Sequence, residues 1–224
     1  MKSIVKQYGF TAFLLVAITH LAAILFGIEE GRFITKLLLM PLLALAVYGS
    51  SAPGKGRTII LIAILFSFAG DGFLLFDYKN PLYFIAGLIS FLITHILYII
   101  YFLGLKPVQP SLLKKRPWII IVVVVYGIGL VYFLFPKLGA LQIPVMLYAF
   151  IICSMLSASI HIYSRVNHAA GTLFVTGALF FVISDSLLAL DKFNAPFPYA
   201  SFFIMLTYCA AQYFIARGFV KCDG

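Results

Sequence analysis

The chain has 224 residues, of which 63% are hydrophobic and 10% charged, with a formal net charge of +9. Soluble domains run near 45–50% apolar and about 25% charged, so a mean hydropathy of +1.10 excludes a soluble globular domain and places the chain in the membrane class. The basic excess does not indicate a nucleic-acid face, because the Lys and Arg residues sit in short loops between apolar runs.

Taken in order, the apolar runs predict eight spans, each near the roughly 20 residues that cross a hydrocarbon core. They are Tyr8–Gly27, Phe33–Tyr48, Thr58–Phe76, Leu82–Leu105, Trp118–Phe135, Leu138–Ile160, Gly171–Leu190 and Tyr199–Ala216. Runs of this length mean helices, since in lipid the backbone must satisfy its own polar groups. The expected fold is an all-α integral membrane bundle, a single transmembrane domain over residues 1–224. Span two is the shortest and carries Lys36 and Pro41. The basic Met1–Lys6 leads into an apolar run longer than that of a cleaved signal peptide, which predicts an uncleaved first span.

Basic residues sort by side. One side takes Lys2, Lys6, Lys55, Arg57, Lys106, Lys114, Lys115, Arg116, Arg165, Arg217 and Lys221, eleven in all; the other takes Arg32, Lys79, Lys137 and Lys192, four in all. The positive-inside rule then places both termini in the cytoplasm. Losing span two would spoil the alternation. Short loops and the absence of a targeting segment point to a bacterial inner membrane.

Asp71–Asn80 aligns without gaps on Asp185–Asn194. The two stretches end spans three and seven, four spans apart and running in the same direction, as a parallel four-plus-four duplication would have them. Two similar helix ends arising independently are the plainer alternative.

Carboxylates inside apolar spans cost at least a few kcal/mol, so Asp71 and Asp185 read as functional. Each stands six residues before an expected exit at Asp77 or Asp191, about 9 Å below it at the helical rise. Lys36 and His20 fall near the same level, which puts four ionisable groups from four helices in one layer. The plain alternatives are an ion pair that only fixes packing, a lysine that snorkels, and a satisfied interior histidine. Lys36 also has the chemistry to bind an anionic head group or neutralise an acid. A second polar set, His95, Tyr98, Tyr208 and Gln212, either lines a pocket or bonds across helices. Ser67 and Ser184 neighbour the acids and are expected to hydrogen-bond them. His161 and His168 read as loop residues.

No cluster has metal-ligand spacing. Cys153, Cys209 and Cys222 form neither a zinc motif nor a disulfide framework. The chain holds no GxSxG elbow, HExxH or P-loop.

At these residues the chain resembles the YhhN-type lysoplasmalogenase family. The resemblance rests on Lys36 and Pro41, on Gly70-Asp71 and Leu74, and on Gly87, His95 and Tyr98. Its most specific part is Gly177-Ala178, Phe181, Ser184-Asp185, Leu188-Ala189 and Phe193, and Tyr208 and Gln212 complete it. The family resemblance implies a membrane-embedded enzyme of about eight helices, without a cofactor. Its reaction would hydrolyse the vinyl-ether bond of lysoplasmalogens to a fatty aldehyde and glycerophosphoethanolamine or glycerophosphocholine. The implied partners are a lysophospholipid substrate and the bilayer; oligomeric state is left open. Such hydrolysis wants one protonated acid and one carboxylate, as glycosidases do, and two neighbouring acids can share a proton. Asp71 and Asp185 are the expected catalytic pair, with Asp185 as donor. Lys36 would face the phosphate, and His20, Ser184, His95, Tyr98, Tyr208 and Gln212 would line the substrate. The competing readings are hydrolysis of another lysolipid, proton-coupled transport, and scaffolding.

Overall fold

The computed structural model describes residues 2–106 and 110–223, with side chains described for residues 7–106 and 110–222. Within them every regular element is helical. The long helices are α1 (Lys2–Leu25), α2 (Glu29–Ser50), α3 (Lys55–Leu74) and α4 (Pro81–Gly104). After a single turn, α5 (Leu112–Lys115), come α6 (Trp118–Leu134), α7 (Gln142–Ile162), α8 (His168–Ala189) and α9 (Ala200–Asp223). Among the described residues eight helices are long and apolar enough to cross a membrane. The chain is thus an integral multi-pass membrane protein.

Several helices depart from the predicted bounds: α1 already starts at Lys2, α7 only at Gln142, and α9 runs on to Asp223, while two further departures have a local physical reason. Helix α2 starts at Glu29 instead of Phe33, and Glu29 and Glu30 occupy its first turn, where carboxylates complement the helix dipole. Pro41 stays inside this helix, as proline often does in membrane helices. Helix α8 runs on beyond Ala189 through a wider helical turn, Leu190–Asn194.

The chain divides into two compact units, Met1–Tyr101 with Phe219–Gly224, and Phe102–Gly218. In the first, α1 packs on α2 and α2 on α3, around Phe13, Leu39, Leu43 and Ala46, all fully buried. In the second, α6 packs on α7 and α7 on α8. Lipid tails are as apolar as leucine, so close backbone approach replaces the hydrophobic drive. Gly177 illustrates this: a Cβ there would lie 3.0 Å from both the Ala211 carbonyl oxygen and the Ile215 nitrogen of α9. Helix α6 is apolar all round and buries only Val123 and Leu134; its exposed Ile121, Val125 and Ile128 form a surface suited to hydrocarbon.

Candidate active site

In the first unit the central feature is an ion pair. Lys36 Nζ on α2 stands 3.8 Å from Asp71 Oδ1 on α3. Asp71 is 2% exposed and the Lys36 side chain 13%. Two such charges in a weakly polar setting depend on each other, because removing either leaves the other uncompensated.

Helix α3 ends at Leu74, three residues beyond Asp71, and Leu75–Lys79 form turns. In the second unit Asp185 lies nine residues before the end of the helical run at Asn194. Along the helical rise Asp71 is about 4.5 Å from its own helix end, and Asp185 lies farther from its own, beyond the wider turn. The two stretches that align in sequence fold differently.

His20 on α1 is fully buried. Its Nδ1 lies 2.8 Å from Thr35 Oγ1, and Thr35 Oγ1 donates to the Gly31 carbonyl at 2.5 Å. A hydroxyl has one proton to give, so Nδ1–H is the donor toward Thr35 and Nε2 carries the lone pair. Nε2 is buried and has no hydrogen-bond partner among the described residues. Ser67 Oγ pairs with Thr94 Oγ1 at 3.1 Å, and His95 and Tyr98 are buried on α4.

Beside the ion pair is a cleft of about 580 Å³ between the start of α2 and the end of α3. Lys36 lines it together with Glu29, Glu30, Arg32, Phe33 and Asp77. Asp71 is not among the lining residues. The size is that of a small-molecule site. None of Glu29, Glu30 or Arg32 is singled out by the sequence reading, although their charges beside a span are the signal that marks them.

In the second unit Asp185 on α8 is half-buried. Tyr148 on α7 donates its hydroxyl to Asp185 Oδ2 at 2.6 Å. One residue on, Ser186 Oγ donates to the Val182 carbonyl at 2.6 Å, so the 2.7 Å bond between Tyr126 of α6 and Ser186 has the phenol as donor. Two phenols thus tie α6 and α7 to the acid-bearing turn of α8. They enclose a pocket of about 50 Å³ lined by Tyr126, Tyr148, Asp185 and Ser186 among apolar neighbours, which is room enough for a water with polar partners. Tyr126 and Tyr148 are absent from the sequence-predicted site. Their only sign in the chain is a phenol inside an apolar span.

The remaining candidates fall as follows. Ser184 Oγ donates to the Ile204 carbonyl of α9 at 3.0 Å, so the bond expected toward Asp185 goes to the neighbouring helix. Tyr208 and Gln212 are buried one turn apart on α9, with Gln212 Nε2 3.4 Å from the Tyr208 hydroxyl. Tyr208 meets the Phe181 ring edge-on at 5.8 Å. His161 and His168, read as loop residues, instead sit in the last turn of α7 and at the start of α8. Their partners are Ser111, at 2.9 Å from His161 Nδ1, and Tyr163, at 2.9 Å from His168 Nε2. Among the described residues no group of three or more His, Cys, Asp or Glu is placed to hold a metal ion.

Residues 31–219 match the model of the YhhN family. Among curated proteins, lysoplasmalogenase TMEM86A of Bos taurus is 37% identical over 169 residues, covering 73% of this chain and 66% of that protein. The Homo sapiens TMEM86A lysoplasmalogenase is 35% identical over 173 residues, covering 73% and 66%. The Homo sapiens lysoplasmalogenase TMEM86B is 33% identical over 178 residues, covering 79% and 70%. The match therefore takes in about two thirds of the length of the TMEM86A relatives. No solved structure matches the chain.

Proposed function

The chain belongs to the YhhN family, and from that premise we propose that it hydrolyses the sn-1 vinyl-ether bond of lysoplasmalogens. The products are a fatty aldehyde and glycerophosphoethanolamine or glycerophosphocholine. The observation that carries the proposal is Asp185: a carboxyl group in an apolar span, hydrogen-bonded by Tyr148 at a pocket with room for water. The named relatives are lysoplasmalogenases, and this is the chemistry that such a group can perform.

The steps balance as follows. An acid delivers a proton to the alkene carbon remote from the ether oxygen, and the π electrons form the new C–H bond. The adjacent carbon becomes an oxocarbenium ion. Water adds to it and gives up a proton to a carboxylate, leaving a hemiacetal. The hemiacetal then collapses: its O–H gives up a proton as the aldehyde C=O forms, the bond between that carbon and the glycerol oxygen breaks, and the glycerol oxygen takes a proton to become a hydroxyl. One water is consumed and the catalyst's proton is returned.

Asp185 is the proton donor in this proposal, and Asp71 stabilises the cation and orients water. Each acid's setting within its own unit supports the division. Asp71 belongs to an ion pair with Lys36, so it suits the carboxylate role. Asp185 accepts from a neutral phenol on Oδ2, and its other oxygen is the one proposed to carry the proton. The location proposed is the cytoplasmic membrane of a bacterium, on the strength of the short loops and the skew of basic residues toward one side.

The test is aldehyde release from a lysoplasmalogen and from its acyl counterpart by purified wild type, Asp71→Asn and Asp185→Asn. The expected result is aldehyde from the vinyl ether alone, abolished in both variants with the folded state intact. Near-normal turnover in both variants sinks the two-acid mechanism, and no aldehyde from wild type sinks the substrate.

A further inference from the structure

The cleft at the junction of α2 and α3 is unusual for a membrane protein in carrying both signs of charge at close quarters. Glu29, Glu30 and Asp77 bring three carboxylates, and Arg32 and Lys36 bring two cations. Arg32 lies 3.6 Å from Glu29, so the two signs touch. Lys36 reaches the cleft from its pair with the buried Asp71. Phe33, Phe76 and Tyr78 supply aromatic lining, and the Phe33 and Phe76 rings meet edge-on at 6.2 Å. A purely anionic ligand would find two cations but also three carboxylates. A purely cationic ligand would meet Lys36 and Arg32. A ligand that carries a phosphate and an ammonium a few atoms apart satisfies both sets.

We propose that this cleft is the head-group site and that it selects zwitterionic phospho-amine head groups over anionic ones. This rests on the reading that the substrate is a lysophospholipid. The phosphate sits against Lys36 and Arg32, whose N–H groups donate charge-assisted hydrogen bonds. The ammonium sits among the carboxylates of Glu29, Glu30 and Asp77. Like charges brought together disfavour the wrong partner, so the carboxylates set specificity more than affinity. The cleft's volume of about 580 Å³ admits such a head group, and Glu29 and Glu30 lie exposed at its mouth.

The test is equilibrium binding of water-soluble head groups to the full chain in phospholipid-free detergent micelles. The probes are glycerophosphoethanolamine and glycerophosphocholine, against glycerol 3-phosphate. Wild type is expected to bind both zwitterions at least about tenfold more tightly than the anion. The double variant Glu29→Gln/Glu30→Gln removes two exposed charges of the first turn and should lose that preference by weakening the zwitterions and not the anion. Arg32→Gln should weaken all three probes by a similar factor. Equal affinity for zwitterion and anion in wild type overturns the proposal, as does a preference unchanged in the double variant. The hydrolytic reading fails separately: if the head groups bind in the expected pattern but lysoplasmalogen yields no aldehyde, the cleft assignment stands. If aldehyde is released and the pattern is absent, only the cleft assignment falls.

Discussion

Asp71 and Asp185 begin from the same sequence sign and acquire different surroundings. Both stand in apolar spans, and each is followed six residues later by a second aspartate. Asp71 ends up almost fully buried against an ammonium, near the end of a helix that stops three residues on. Asp185 ends up half-buried against a phenol, on a helix that continues to Asn194 through a wider turn. One acid is charge-compensated beside a polar cleft, while the other is hydrogen-bonded at a small pocket with an apolar wall. An acidic residue at membrane depth therefore announces that it is expensive but not how the expense is met. An ion pair and a phenolic hydrogen bond are different answers.

The contrast is tested most severely at the proposed proton donor. Asp185→Asn should lower kcat by about 10³-fold, within the range for loss of a general acid. Binding of a non-hydrolysable alkyl-ether lysolipid should stay unchanged, as read by titration. A variant that keeps its rate removes Asp185 from the chemistry.

The ion pair is tested through stability. Lys36→Met leaves the buried Asp71 carboxylate uncompensated and should destabilise the protein by about 3–5 kcal/mol, measured by denaturant titration in mixed micelles. Adding Asp71→Asn should recover most of that loss, because the two residues are coupled. If the double variant is as unstable as the single one, the pair is not the source of the effect.

Tyr148→Phe removes the hydroxyl that Asp185 accepts from. A hydrogen bond between neutral groups contributes about 0.5–1.5 kcal/mol, so turnover should fall roughly two- to tenfold while thermal stability changes little. An equal fall in stability and rate would instead mark Tyr148 as a structural tie between α7 and α8.

The mildest test lies next to the ion pair. Thr35→Val takes away the acceptor of the buried His20 Nδ1–H and should cost about 1–3 kcal/mol of stability. It should leave aldehyde release per folded molecule near wild type. Here Thr35→Ser, which keeps the hydroxyl, is expected to restore stability.

Much of the architecture was legible from composition and run length alone. All eight predicted spans correspond to helices long and apolar enough to cross a membrane, because hydrocarbon thickness and backbone satisfaction constrain one dimension that a sequence carries directly. Bounds slipped at the span ends: at residues 29–32 and 190–194, at the start of α1 and at the end of α9, charged residues stay helical instead of ending the span, and α7 starts only at Gln142. The aspartates and Lys36 were legible for the same reason: a charge in an apolar run stands out wherever it points.

What only the tertiary structure decided is lateral. Tyr148 is 37 residues from Asp185, and nothing in the span around it distinguishes the face turned toward α8. In water the inward face of a helix is marked by its apolar stripe. In lipid both faces are apolar, and association depends on close packing instead, so α6 with its apolar run from Trp118 to Leu134 reads the same all round. By itself the chain determined how many times it crosses, and which residues are too polar to be there without a reason. The rotation of each helix about its axis, decided by packing, determined that Lys36 answers Asp71 and that Tyr148 answers Asp185.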